Sequence, residues 1–312
     1  MVSLEQHIKE IVMDKIIILG CGYLGYNISD FFKDTDSVRV LGLSSFYGEF
    51  LQVPFSEMNV FDFSSLASID FEDAIVIDCM MLISPNTGSE EKEKVLEKVL
   101  TQYEGLYQYL LSHKIKKFIS FSSGGAIYGN VVGRVSETAS LNPITFYGEA
   151  KIKMEKQLQE SGLNYSIIRL GNLYGGLQEP NKTQGIIPVI IHKTLKSETF
   201  ILWGGEQTIR DYIYMSDFLQ GLQNIIKSNM AGNEIFNIGS GIGTKTVDLF
   251  DIVEKVTSKG IVIKKEANES EIQNIVLDIT KMKNFFDYQI AISLQKGIEL
   301  EYSRINELIE TE

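Results

Sequence analysis

Cysteine, proline and tryptophan are all scarce in this chain, at 2, 5 and 1 of 312 residues. Two cysteines cannot staple a fold of this size. Cys21 and Cys79 both stand in apolar, strand-like surroundings, which suits a reducing, cytoplasmic setting better than a disulfide framework. So few prolines leave no proline-rich linker, and neither an internal repeat nor a low-complexity stretch divides the chain. Basic residues are in deficit, with 29 Lys and Arg against 41 Asp and Glu and a formal charge of -12. Phosphate backbones are bound by clustered cations, so no nucleic-acid partner is expected, although a few local donors suffice for a small anionic ligand. Long hydrophobic runs are missing, so no membrane insertion is expected. The opening stretch MVSLEQHIKEIV carries two glutamates and lacks the apolar core of a signal peptide. No metal site is expected.

Hydrophobic residues make up 44% of the chain, ordinary for a packed soluble protein. The aliphatic run KIIIL, Lys15 to Leu19, leads directly into Gly20-Cys21-Gly22-Tyr23-Leu24-Gly25 and then an amphipathic stretch to about Lys33. Strand, G-x-G-x-x-G and helix in that order form the dinucleotide fingerprint: the glycines allow a tight turn and close approach, and the helix N-terminus faces a pyrophosphate. Gly20, Gly22, Tyr23, Leu24 and Gly25 are therefore expected at a cofactor. A second strand is expected over Val38 to Leu43, and the group that follows it meets the adenosine ribose. An acid there would mark NAD and an arginine NADP, but the chain offers Ser44, which can bond a hydroxyl or a phosphate. Both cofactors stay open. Asp62, in NVFDFSS, either accepts from the adenine amine or caps a helix.

Ala74 to Cys79, Lys117 to Ser122, Tyr165 to Leu170 and Glu234 to Ile238 read as further strands, with a long solvated helix over Glu90 to His113. This alternation predicts an α/β Rossmann fold, a doubly wound parallel sheet covered on both faces. The dinucleotide-binding domain is expected over 13–170, with 212–238 returning to it. Residues 171–211 and 239–312 then form a smaller C-terminal α/β substrate-binding lobe, with a helix near Ile186 to Lys196 and strands at Phe200 to Trp203, Ile261 to Ile263 and Ile275 to Leu277.

In such sheets the ligand crevice lies beyond the carboxyl ends of the strands. Gly20 to Gly25, Ser44, the loop after Cys79 and Ser122 to Gly125 all follow strand ends and converge there. Tyr147 and Lys151, in YGEAK, stand one helical turn apart on one face. A phenol beside an ammonium is a candidate acid/base pair, because the cation favours phenolate. Ser122 and Ser123 are the hydroxyls placed to meet a substrate oxygen.

The motifs GCGYLG, FSSGGAIYG, YGEAK, RLGNLYG, QGIIPVIIHK, WGGEQTIRDYIY and FNIGSG, ordered over Lys15 to Val256, resemble the extended short-chain dehydrogenase/reductase family. Within it the chain looks like the NAD-dependent epimerase/dehydratase branch, which acts on nucleotide-linked sugars. The resemblance implies that Tyr147 is the active-site tyrosine and that Lys151 lowers its pKa and holds the nicotinamide ribose. It implies that Asn172 and Arg210 bind the nucleotide-sugar diphosphate, for which an arginine fork is suited. The alternatives are a turn role for Asn172 and an ion pair with Asp211 or Glu206 for Arg210. Gly124 and Trp203 are also expected on the substrate side.

Three departures shape the expected activity. Gly124 occupies the position where relatives place a catalytic Ser or Thr, so Ser123 is expected to replace it, with Ser122 next. The segment lacks the Asp-Glu of the TDEVYG dehydratases, which disfavours dehydration. Cys79-Met80-Met81 stands where relatives carry small residues. The expected function is NAD-dependent C4 epimerisation of a UDP-sugar. The alternatives are an NADPH-dependent 4-keto-sugar reductase and a catalytically inactive dinucleotide-binding regulator. The resemblance also implies a homodimer through the helices near Glu90 to His113 and Tyr147 to Gln159.

Overall fold

Four aliphatic residues with no polar face, Ile16–Leu19, form a strand (β1) that is buried on both sides. The structure, a computed structural model, describes residues 14–311 apart from 36, 44, 86, 88–90, 180–184, 204, 229–231 and 267–273. The expectation for Ser44 therefore lies outside the described residues. From β1 the chain runs through helix α1 (Tyr23–Phe31), β2 (Val38–Gly42), β3 (Phe55–Glu57), α2 (Phe63–Leu66), β4 (Ile75–Asp78) and α3 (Lys92–Ser112). It continues through β5 (Lys117–Ser123), α4 (Gly124–Ile127), α5 (Phe146–Glu160), β6 (Tyr165–Leu170), β7 (Asn172–Tyr174) and α6 (Ile186–Leu195). The last part comprises β8 (Phe200–Trp203), β9 (Ile209–Tyr214), α7 (Met215–Lys227), β10 (Glu234–Ile238), β11 (Gly243–Lys245), α8 (Thr246–Thr257), β12 (Ile263–Glu266), α9 (Thr280–Phe286) and α10 (Leu294–Thr311).

The main sheet has seven strands in the order β10-β6-β5-β4-β1-β2-β3, all parallel. Chain order reverses at β1, where β2 and β4 lie on opposite sides, and this opens the crevice. Successive side chains of a strand point to opposite faces. Ile16, Ile18, Ile75 and Ile77 accordingly pack with Ile28 of α1 and Phe218 of α7. Ile17, Leu19 and Val76 pack with Leu96 and Tyr103 of α3 and Leu158 of α5. A separate apolar cluster joins α6, α8 and α10 to β8.

The expected strand at Ile275 to Leu277 is not formed. Single bridges tie Asn274 to Ile209 and Leu277 to Val135, so the segment serves as a strap. The strand expected at Ile261 to Ile263 begins at Ile263 and pairs with β8 in parallel. Among the described residues no helix is long and apolar enough to cross a membrane.

A buried ion pair fixes the helix that carries Tyr147 and Lys151. Arg169 of β6 donates from Nε and Nη2 to Glu155 at 3.1 and 2.7 Å, and from Nη1 to the Tyr128 hydroxyl at 3.0 Å. Tyr128 in turn donates to Asn237 Oδ1 on β10 at 2.8 Å. Tyr147, Lys151 and Glu155 follow one another at i, i+4 and i+8, so anchoring Glu155 to β6 sets the direction of that whole face.

Candidate active site

The crevice at the carboxyl ends of the main strands encloses about 1120 Å³ and runs from the β1–α1 turn to the end of β5. Gly20 adopts a φ of 99°, and a Cβ on Gly25 would lie 1.9 Å from the Gly20 carbonyl oxygen. The turn therefore closes only around hydrogen at Gly25, which brings the start of α1 against the strand. Gly20, Cys21, Gly22, Tyr23 and Leu24 line the crevice, and the Tyr23 hydroxyl donates to the Gly175 carbonyl at 2.6 Å. Beside them, Ser45 bonds the Cys21 carbonyl and holds the loop after β2 to the fingerprint turn.

At the other end stand Ser122, Ser123, Tyr147 and Lys151. The Ser123 hydroxyl favours the Tyr147 phenolate, but burial is the larger effect and pushes the Tyr147 pKa up. Lys151 Nζ lies 5.8 Å from the centre of the Tyr147 ring and donates to the Phe121 carbonyl at 2.9 Å. Enclosure of the phenol therefore sets the direction of its shift. Burial likewise draws the Lys151 pKa down, opposed by the carboxylates of Asp78 and Glu155. Ser122 Oγ is buried with no hydrogen-bond partner among the described residues.

The other expected residues divide. Asn172 lines the crevice and donates from Nδ2 to the Asp211 carbonyl at 3.1 Å. Arg210 does not line it; on β9, opposite Thr244, it donates to the Ile209 carbonyl at 3.1 Å. Trp203, at the end of β8, is 59% exposed and outside the crevice. Gly124 is buried under Leu277 at the start of α4. Asp62 takes the capping role: its side chain accepts from the Ser64 amide, while Met58, Asn59, Val60 and Phe61 face the crevice instead. Asp78 and Gln102 also line the crevice and were not anticipated. The signal for Asp78 was its position as the one acid closing an otherwise aliphatic strand.

A parallel sheet that reverses at its first strand, a glycine turn beneath that point and a Ser-Tyr-Lys group across the same crevice define a dinucleotide-dependent short-chain dehydrogenase/reductase. The chain belongs to the NAD dependent epimerase/dehydratase family, whose family model matches residues 16–239. The close glycine turn and the unpartnered Ser122 hydroxyl fit NAD, which brings phosphates to the first and polar groups to the second.

A provisionally named UDP-glucose 4-epimerase of Methanocaldococcus jannaschii is 34% identical over 203 residues, 62% of this chain and 64% of its own. The dTDP-4-dehydro-6-deoxyglucose reductase of Escherichia coli is 29% identical over 199 residues, 62% of either chain. These matches span just under two thirds of the relatives' length. The crystal structure of Thermotoga maritima UDP-glucose 4-epimerase with UDP-glucose superposes with a TM-score of 0.81 at 28% identity, over 94% of this chain and 99% of that one.

Proposed function

We propose that the protein is a nucleotide-sugar epimerase that inverts C4 of a UDP-sugar. The observation that carries this reading is the grouping of Ser123, Tyr147 and Lys151 in the dinucleotide crevice. Tyr147 takes the proton of the C4 hydroxyl as base and later returns it as acid. Ser123 bonds the same oxygen and directs it at the phenol. Lys151 supplies the positive charge that makes the buried phenol a usable base. Bound NAD supplies a transient acceptor for the C4 hydride, so the overall reaction is redox-neutral. The unpartnered Ser122 hydroxyl is assigned to the bound ligands.

Asn172, in the crevice, is assigned to the diphosphate; Arg210 would have to leave the Ile209 carbonyl to join it. Trp203 and Gly124 are not retained as substrate contacts, since one lies outside the crevice and the other is covered by Leu277. The division of labour that we favour gives the cofactor to 13–170 with 212–238, and the sugar nucleotide to the remaining lobe. A cytoplasmic homodimer is part of the same proposal. The exposed residues of its expected helix pair include Glu93, Glu97 and Lys98 of α3 and Glu149 and Lys153 of α5, beside the uncharged Gln108 and Leu111, so such an interface would be largely polar.

The test is to denature freshly purified protein, identify the released nucleotide by chromatography and mass, and then follow UDP-sugars by proton NMR. Stoichiometric NAD and inversion at C4 support the proposal. The second reading, a 4-keto-sugar reductase, is favoured by the resemblance to the Escherichia coli reductase and by the absence of an acid at Gly42 and Leu43. Net consumption of NADPH with a keto-sugar would establish it in place of epimerisation.

A further inference from the structure

Asp78 is the one carboxylate that lines the crevice among the described residues, and it is 5% exposed. It closes β4, whose other residues are Ile75, Val76 and Ile77. Burying a carboxylate costs several kcal/mol unless charges or hydrogen bonds compensate it, so its presence calls for a reason. The Tyr103 hydroxyl of α3 donates to Oδ2 at 2.7 Å, and the Met80 amide donates to Oδ1 at 3.1 Å. Both donors are neutral. The β4–β5 register sets Asp78 opposite Ser120, one residue before Phe121, whose carbonyl accepts from Lys151 Nζ at 2.9 Å. A carboxylate from β4 and an ammonium from α5 therefore share the crevice near the end of β5.

We propose that Asp78 is a positioning residue of the active site: oriented by Tyr103, its carboxylate is the counter-charge that keeps Lys151 an ammonium at the Phe121 carbonyl. This rests on the reading that Lys151 serves Tyr147. Asp78 is the stronger of the two carboxylates that oppose the effect of burial on Lys151. The other, Glu155, is already committed to Arg169 at 2.7 Å. The remaining titratable groups that face Asp78 are Tyr107 on α3 and the Cys79 thiol, with Cys21 behind it; burial raises the pKa of each, so none brings a competing charge near neutral pH.

The test reads the lysine directly. Purified protein is labelled with trace acetic anhydride at a series of pH values, and acetylation of Lys151 is quantified by peptide mass spectrometry; only the neutral amine reacts. In Asp78→Asn the pH of half-reaction should fall by about one unit or more. Tyr103→Phe, which keeps the charge but frees the carboxylate, should lower it by less. A Lys151 that titrates within about 0.3 unit of wild type in Asp78→Asn overturns the proposal, as does an unmoved Lys151 in Tyr103→Phe should Asp78→Asn not fold. Turnover is not read here, so absence of epimerase activity would count against the proposed reaction and not against the pairing.

Discussion

A Cβ on Gly124 would stand 2.7 Å from Leu277 Cδ2 and 2.9 Å from Cδ1, so the position where relatives carry a catalytic hydroxyl is filled here by a distant leucine. Leu277 is fully buried, in a cluster with Ile127, Tyr128 and Ile275, and has little room to retreat.

Gly124→Ser should therefore destabilise the fold by about 1–3 kcal/mol, the usual result of overpacking a well-filled site. Urea denaturation checks this. A gain in activity from the restored serine would show that Leu277 yields and that Ser123 is not the operative hydroxyl.

Tyr147→Phe should lower kcat by about 10²–10⁴ while NAD still binds, because the cofactor contacts of the fingerprint turn are untouched. Ser123→Ala should lower kcat by a smaller factor, on the order of 10², by losing a hydrogen bond to the reacting oxygen. Turnover of a UDP-sugar together with fluorescence titration of NADH measures both effects.

Glu155→Gln leaves the Arg169 guanidinium buried without its charge partner, a change that commonly costs about 3–5 kcal/mol. The Arg169–Glu155 pair is nearly inaccessible, at 4% and 5% side-chain exposure, so solvent cannot replace the lost carboxylate. Thermal unfolding should show a large drop in midpoint, and Tyr147 and Lys151 should lose their alignment with it.

Asp78 links stability to pH. Burial raises its pKa from 3.8 to about 6, so the folded state holds a proton that the unfolded chain releases. Stability should then fall as pH rises from about 4 to about 6, by up to roughly 3 kcal/mol, and stay lower above that window. Asp78→Asn should abolish this slope; denaturant titrations at pH 4, 6 and 8 would reveal it.

The patterns that were legible in the sequence are local. KIIIL and YSIIRL give strands through their runs of isoleucine and leucine, and the glycine spacing fixes the turn that follows the first. The capping role of Asp62 is equally local, since its partner amide is two residues away. The cover over Gly124 was not legible, because it comes from a segment 153 residues further along whose three apolar residues look like a strand and serve as a strap. Arg210 and Trp203 were placed by motif, and neither lines the crevice, although Tyr212 on the strand of Arg210 does. The field at Tyr147 and Lys151 also eluded the sequence. The four-residue spacing was visible, but the depth of the phenol and the carboxylate opposite the lysine arise only when β4, β5 and α5 assemble.

The strap has a thermodynamic corollary. Asp211 of β9 accepts from the Ser240 amide at 2.7 Å and from the Gly241 and Leu277 amides at 3.1 Å, so one side chain ties β9 to the segments after β10 and at the strap. Asp217 of α7 likewise accepts from Ala291 and Ile292 at 3.1 and 3.0 Å. Neither β9 with α7 nor the segments after β10 can melt without breaking bonds that the other completes. Calorimetry should accordingly record a single cooperative endotherm, and a fragment ending after β6 should not persist as an independently folded piece.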